Sequence, residues 1–166
     1  MTPPQATHAF IGLGANLGHP VRAIDDACAA LAALPETTLL ACSRLYRSAP
    51  VGVSGQPDYV NAVAHLVTAL NAPALLDALL DIETRHGRTR DYRMAPRTLD
   101  LDLLLYGDAR LDLPQLTVPH PRMHQRAFVL APLAELAPQA DIPGRGRVAD
   151  LLRDVADQRI EALPTS

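Results

Sequence analysis

The chain has 166 residues, a formal net charge of −3, 20% charged residues and 48% hydrophobic residues. These values are typical of one folded domain with its own core, and the negative charge argues against a non-specific nucleic-acid coat. No apolar run reaches the roughly 20 residues that span a bilayer, and the N-terminus lacks a basic region followed by an apolar one. We therefore predict a single domain over residues 1–166 in the cytoplasm, with neither a membrane nor a nucleic-acid partner.

The basic residues and the cysteines narrow the chemistry further. All fifteen basic residues are arginine. Any cation that binds phosphate here must therefore be arginine, histidine or a metal ion, and a phosphate-loop lysine is excluded. Cys28 and Cys42 lack C-x-x-C spacing, so we expect reduced thiols, as is usual in the cytosol, rather than a disulfide.

Strands and helices alternate in the first half of the chain. The turn "GLGANLGHP" follows the first strand, and Pro20 is suited to the first turn of a helix. A loop of about twelve residues at 48–59 is long for a compact domain, which indicates a functional loop. The predicted elements are a strand at 8–13, a helix at 21–34, strands at 37–47 and 59–70, and a helix at 71–87.

The second half begins with a polar, arginine-rich loop and continues with strand and helix patterns. The order β-α-β-β-α-β predicts a split βαβ plan, in which helices pack on an antiparallel sheet. The predicted elements are the loop at 88–97, a strand at 98–107, short strands and turns at 108–121, a helix at 122–138 that Pro132 can break, and one or two helices at 148–163.

Two acids interrupt the leucine-rich run "RTLDLDLLLYG", residues 97–107. Because strand side chains alternate between faces, Leu99, Leu101, Leu103 and Leu105 are expected on one face, and Asp100, Asp102 and Leu104 on the other. The Cα atoms of acids two residues apart on a strand lie about 6.5–7 Å from each other. At this spacing the two carboxylates can hold one or two cations. A half-exposed strand with two solvated acids remains the alternative.

Five arginines lead into this acid pair: Arg85, Arg88, Arg90, Arg93 and Arg97. A basic loop beside two carboxylates suits a polyphosphate with magnesium, since the arginines bind phosphate oxygens and the acids bind the metal. The alternative is a solvated loop whose arginines pair with nearby acids.

Other motifs carry weaker signals. "GLGANLG" lacks the G-K-[ST] ending of a phosphate loop, so we interpret it as a tight strand-to-helix turn. His120 lies between two prolines and can donate to a phosphate, and His120 with His124 has metal-ligand spacing but no accompanying glutamate. Aromatic residues are scarce, and Tyr59 and Phe128 adjoin the polar segments, where they can stack on a flat heterocycle or belong to the core.

Four segments carry a family resemblance: "IGLGANLG", "YRSAPVGVSGQPDYVNAV", "PRTLDLDLLLYG" after R-x-R, and "LTVPHPRMHQRAFVLAPLAELAP". Together, over about residues 8–155, they resemble the 6-hydroxymethyl-7,8-dihydropterin pyrophosphokinases of folate biosynthesis. The resemblance implies a ferredoxin-like α/β/α sandwich with a mostly antiparallel sheet and helices on both faces. It also implies transfer of the β,γ-diphosphate of MgATP to the hydroxymethyl oxygen of the pterin, with release of AMP.

The resemblance also implies roles for individual residues. Asp100 and Asp102 would hold two Mg²⁺ ions, and together with Arg88 and Arg97 they would form the catalytic set. The residues implied for ATP are Glu83, Arg88, Arg90, Arg93, Arg97, Leu103, His120 and Arg126. Those implied for the pterin are Ser48, Ala49, Val51, Tyr59, Asn61 and Phe128. Met94 stands where the family often has tryptophan, so stacking by that indole is not expected.

We expect a monomer, because the chain shows no heptad seam.

Two other functions fit the acid pair. A two-metal phosphodiesterase or nuclease would use the same carboxylates, but with an activated water and usually more converging acids or histidines. A ferredoxin-like regulatory module would bind a nucleotide or flat ligand without turnover and without magnesium.

Overall fold

The computed structural model describes residues 6–16, 19–48, 59–86 and 99–164. Within these ranges the chain forms a six-stranded sheet, two two-stranded hairpins and four α-helices. The elements are β1 (Thr7–Ala15), α1 (Pro20–Ala32), β2 (Thr37–Cys42), β3 (Tyr46–Ser48), β4 (Tyr59–Thr68), α2 (Ala72–His86), β5 (Asp100–Tyr106), β6 (Leu111–Leu113), β7 (Leu116–Val118), α3 (Ala127–Leu136), β8 (Asp141–Ile142), β9 (Gly146–Arg147), α4 (Val148–Asp154) and β10 (Ile160–Ala162).

The main sheet has the strand order β10-β3-β4-β1-β5, and β2 also pairs with β4. Each pairing in it is antiparallel. The central strand β1 hydrogen-bonds to β4 on one side and to β5 on the other. This arrangement confirms the predicted α+β plan.

Two hydrophobic clusters cover the two faces of the sheet. The first joins α1 and α2 to the strands through residues such as Leu31, Leu79 and Leu101. The second joins α3 and α4 to the strands through residues such as Val63 and Leu130. The predicted helix starts are present, because Pro20 occupies the first turn of α1 and the Asn71 side chain accepts from the Ala74 amide, 2.8 Å away, at the start of α2.

Several predicted elements differ in detail. The strand predicted at 37–47 is two strands, because the segment between β2 and β3 leaves the ladder and Ser43 instead bonds to Val63 through its amide and hydroxyl. The helix predicted at 122–138 is a 3₁₀ turn (Met123–Gln125) followed by α3, which retains Pro132 in its interior.

The prediction of helix throughout 148–163 is wrong at its end, since β10 pairs with the edge strand β3 there. The hairpin of β8 and β9 is absent from the sequence prediction; Gly144 in its turn and Gly146 at the start of β9 both have positive φ.

The predicted alternation along β5 fails at one residue. The register with β1 shifts between Phe10 and Ile11, so that Leu104 is an extra residue on β5. Leu105 therefore lies in the second cluster with Leu104, and not with Leu101 and Leu103 as predicted. Among the described residues, no helix is long and apolar enough to cross a membrane.

Candidate active site

Asp100 and Asp102 project from β5 on the same face of the sheet. The leucines that flank Asp102, Leu101 and Leu103, are buried in the first cluster, on the opposite face. Asp100 is half-buried and Asp102 is exposed. The register shift lies beyond both acids, so it leaves their common orientation intact. We call this face, on the side of α3 and α4, the polar face.

Two glycines of the central strand lie on the polar face, and the Leu104 side chain packs against one of them, Gly12. Gly14 pairs with Asn61 on β4 and with Asp100 on β5, while Gly12 pairs with Asp102. A Cβ atom on Gly14 would lie 3.5 Å from Asn61 Oδ1. The interpretation of "GLGANLG" as a turn is therefore wrong for its first half, which is strand. The alternation of Gly12 and Gly14 with buried Ile11 and Leu13 is the period-two signal that could have found it.

The side chain of Asn61, which pairs with Gly14, has a fixed orientation. Its Nδ2 donates to Ser48 Oγ at 2.7 Å, and both residues are buried. Ser48 pairs with Tyr59, and Tyr59, half-buried, shares the face of Asn61 by strand alternation. Three residues implied for the pterin, Ser48, Tyr59 and Asn61, thus lie together where β3 meets β4.

A buried acid holds the strand that carries the aspartates. Glu83 on α2 is 5% exposed, and its Oε2 accepts from the Leu101 amide at 2.7 Å. Leu101 lies between Asp100 and Asp102, so this bond fixes the backbone of β5 between the two acids. Leu103, implied for ATP, is 4% exposed, and its side chain packs in the first cluster. Only its backbone can therefore face a ligand on the polar face.

His120 lies beside the acid pair. Its amide donates to the Leu104 carbonyl at 3.0 Å, and its Nδ1 accepts from the Arg122 amide at 3.2 Å. Burial lowers the pKa of His120; the charge of Asp102 opposes this shift, and Arg126 and Arg122 reinforce it. The imidazole therefore stands within electrostatic reach of both a carboxylate and two arginines, a mixture suited to a phosphate chain with a cation.

Arg126 and Phe128 lie at the start of α3. The Arg126 guanidinium carbon is 5.5 Å from the centroid of the Phe128 ring. Gln158 brackets this junction, since it accepts from the Ala127 amide at 2.9 Å and donates to the Gln125 carbonyl at 2.8 Å. The sequence analysis gave Gln158 no role.

A second unpredicted contact ties α3 to β3. The Tyr46 hydroxyl donates to Glu135 Oε1 at 2.7 Å, and the Arg44 amide donates to Oε2 at 2.9 Å. Burial, and then this hydrogen bond to Glu135, raise the pKa of Tyr46. Glu135 and Tyr46 are 89 residues apart, and no local sequence pattern indicates the contact.

The other predicted site residues lie outside the described residues. They are Ala49, Val51, Arg88, Arg90, Arg93 and Arg97. Within the described part of the chain, no group of three or more histidine, cysteine, aspartate or glutamate side chains could hold a metal ion. A two-carboxylate donor set still suits magnesium, which binds through one or two carboxylates and takes its remaining ligands from substrate phosphates and water.

The chain is an α+β sandwich with two acids on one face of its sheet, an arrangement that suits an enzyme of phosphoryl-transfer type. Residues 10–138 match the family described as 7,8-dihydro-6-hydroxymethylpterin-pyrophosphokinase (HPPK). The chain belongs to this family, and it is accordingly an ATP-dependent pyrophosphokinase.

Related sequences agree with this assignment, and a solved structure shares the fold. The 2-amino-4-hydroxy-6-hydroxymethyldihydropteridine pyrophosphokinase of Pseudomonas aeruginosa is 50% identical over 155 residues, which cover 93% of this chain and 96% of the relative. The enzyme of that name from Haemophilus influenzae is 43% identical over 152 residues, with 92% and 95% covered. Wild-type Plasmodium falciparum HPPK-DHPS with STZ-DHP shares the fold, with a TM-score of 0.71 and 13% identity; the match covers 92% of this chain and 44% of that one.

Proposed function

We propose that this chain transfers the diphosphate of MgATP to 6-hydroxymethyl-7,8-dihydropterin, giving AMP and the pterin diphosphate, and that the polar face is where it does so. One observation carries the location. Asn61 and Asp100 flank Gly14 in a single row across three strands, with Asp102 beside Gly12 in the next row. A pterin amide edge at Asn61 and a phosphate chain at the acids would therefore meet over the glycines.

The reaction needs three atoms in line: the pterin hydroxymethyl oxygen, the β-phosphorus and the oxygen that bridges the α- and β-phosphates. The hydroxymethyl oxygen forms a bond to the β-phosphorus as the bond from that phosphorus to the oxygen bridging the α-phosphate breaks, which releases AMP. Little covalent chemistry falls to the protein, so positioning and charge stabilisation supply the catalysis. Asn61, locked by Ser48, would orient the pterin, and Tyr59 and Phe128 would stack on its ring.

Asp100 and Asp102 are the proposed magnesium ligands, with two ions as the proposed number. Magnesium on the phosphate chain would neutralise its charge and stabilise the charge that develops at the β-phosphorus. Glu83 would fix the positions of the two acids relative to each other, because it accepts from the amide of Leu101, which lies between them. The backbone of Leu103 is the part of that residue available to ATP, since its side chain is buried on the other face.

Arginines and a histidine complete the ATP side of the proposal. His120 lies within electrostatic reach of both Asp102 and Arg126, and we assign His120 and Arg126 to phosphate oxygens of ATP. From the segments outside the described residues we assign Arg88 and Arg97 to the transition state, Arg90 and Arg93 to ATP, and Ala49 and Val51 to the pterin edge. We further propose that residues 1–166 act as one domain, as a cytoplasmic monomer with small-molecule substrates only.

The test is to incubate the protein with MgATP, with and without 6-hydroxymethyl-7,8-dihydropterin, and to separate the nucleotides. AMP formed only in the presence of the pterin supports the proposal. ADP, or phosphate released without pterin, would favour a phosphodiesterase or phosphatase. Binding without any turnover, unaffected by magnesium, would favour a regulatory module.

The location on the polar face has its own test. Asn61→Ala should raise KM for the pterin and leave KM for ATP little changed, because Asn61 would contact only the pterin. Equal changes in both constants would place the pterin elsewhere.

A further inference from the structure

The two cysteines of the chain lie together on the face of the sheet opposite Asp100 and Asp102. Cys28 is on α1 and Cys42 on β2, and their Sγ atoms are hydrogen-bonded at 3.0 Å across a sequence separation of 14 residues. Both are free thiols. Cys42 is exposed and Cys28 half-buried, so a small reagent in solvent can reach the pair. The sequence predicted two reduced thiols but not their contact.

We propose that Cys28 and Cys42 form a thiol–disulfide exchange site, which takes small-molecule disulfides such as oxidised glutathione and closes reversibly into an intramolecular disulfide. A disulfide needs its sulfurs about 2.0 Å apart. The observed separation of 3.0 Å therefore leaves about one ångström to close when the bond forms.

The two thiols differ in exposure, and this difference sets the order of the exchange: Cys42 is exposed to a reagent in solvent, and Cys28 is half-buried behind it. The hydrogen bond with Cys28 lowers the pKa of Cys42, against the opposing effects of burial and of the Asp25 charge. The same bond, then burial and the charge of Asp25, raise the pKa of Cys28. Since the thiolate is the nucleophile, Cys42 should attack first and Cys28 should resolve the intermediate.

The exchange balances with a low-molecular-weight disulfide as the oxidant. The Cys42 thiolate attacks one sulfur of oxidised glutathione, which forms a mixed disulfide and releases one glutathione thiolate. Cys28 then loses its proton and attacks Cys42 Sγ, which forms the Cys28–Cys42 bond and releases the second glutathione. Two electrons and two protons pass from the protein to the glutathione pair.

The bond would join α1 covalently to β2. In the described part of the sheet β2 pairs only with β4, so the link would reinforce a strand with one hydrogen-bonded neighbour. The polar face lies on the other side of the sheet, so the link should stabilise the fold without changing turnover. For a loop of this length we expect the melting temperature to rise by about 5–10 °C.

The test equilibrates the intact protein in glutathione buffers from reducing to oxidising, quenches it with acid and labels the remaining thiols with a maleimide polymer. Two labels should be lost together, the mass should fall by two hydrogen atoms, and a dithiol reductant should restore both labels. Labels that persist at the oxidising end, disulfide-linked dimers, or a stable glutathione adduct would each overturn the proposal.

Single variants separate the two roles. Cys28→Ser should stop at the mixed disulfide on Cys42, because the resolving thiol is missing. Cys42→Ser should form the adduct much more slowly, because Cys28 is the poorer nucleophile; equal rates would contradict the assigned order. In the fully oxidised wild type, an unchanged melting temperature would contradict the stabilising link. These outcomes do not depend on the reaction proposed above, since none of them requires turnover.

Discussion

The two faces of the sheet are built from the same strands but carry different side chains, aliphatic on one face and partly polar on the other. Along β4, Val60, Ala62, Ala64 and Leu66 enter the first cluster, while the alternate residue Asn61 faces the other side. On β5, buried leucines alternate with Asp100 and Asp102. We call the face packed on α1 and α2 the aliphatic face. The comparison teaches that a strand period of two lets the same strands bury aliphatic side chains on one face and hold, beside the second cluster on the other face, charges that would be costly in a core. Substitutions on the two faces should therefore have separable effects.

The largest effect should come from the acids of the polar face. Asp100→Ala or Asp102→Ala removes negative charge that would hold magnesium on the phosphate chain, so we expect kcat to fall by roughly 10²–10³-fold. The fold should persist, because neither acid belongs to either hydrophobic cluster. Steady-state kinetics and a melting curve measure the two effects. Asp108→Ala, at an exposed position just after β5, is the matched control and should behave as wild type. Normal turnover in either acid variant would refute the metal assignment.

The aliphatic face should show the reverse pattern. Leu79 on α2 is fully buried, so Leu79→Ala should destabilise the protein by about 2–5 kcal/mol through lost burial and a residual cavity. The folded fraction should keep its turnover. Denaturant unfolding measures the loss, and Leu80→Ala is the control, since Leu80 is 46% exposed on the same helix. If kcat per folded molecule fell along with stability, the two faces would not be separable.

Glu83 links the two faces, so its variants should lower both stability and turnover. Glu83 lies on α2, which packs on the aliphatic face, and its side chain accepts a hydrogen bond from the Leu101 amide of β5, between the two acids. Glu83→Ala leaves the buried Leu101 amide without this acceptor, a loss of about 1–3 kcal/mol, and should also lower kcat because the acids lose their register. Glu83→Gln keeps an acceptor oxygen and should recover much of both. Equal damage from the two variants would show that the negative charge, rather than the hydrogen bond, is what matters at this position.

The fold was predictable wherever a local signal existed. Pro20 and Asn71 marked helix starts, and alternation marked the strands. The strand β10 was not predictable, because residues 160–162 become strand only through pairing with β3, a tertiary contact. Leu105 was assigned to the wrong face for a related reason, since a register shift is set by the partner strand and leaves no trace in the sequence of β5.

The residue types of the candidate site could be predicted from the sequence, but the hydrogen bonds that hold its residues in place could not. The D-x-D spacing alone put both acids on one face, and the family resemblance pointed to Asn61 and Ser48, which the structure joins by a hydrogen bond. The supporting contacts cross long sequence distances. Tyr46 reaches Glu135 over 89 residues, and Gln158 reaches Ala127 over 31. Neither pair has a periodic or local pattern, so only the folded chain reveals them.

The smallest effect should come from Gln158, which supports the polar face from the C-terminal segment. Its side chain bonds on both sides of Arg126, and its loss should loosen that arginine without disturbing either cluster. Because these bonds are partly exposed, we expect Gln158→Ala to cost about 0.5–1 kcal/mol, seen as a roughly two- to fivefold rise in KM for ATP with kcat little changed. Gln158→Glu keeps the acceptor for the Ala127 amide but loses the donor to the Gln125 carbonyl. Its KM for ATP should therefore lie between those of the wild type and Gln158→Ala. Asp157→Ala is the exposed neighbouring control. A lower melting temperature with unchanged KM would mean that Gln158 stabilises the fold and does not position Arg126.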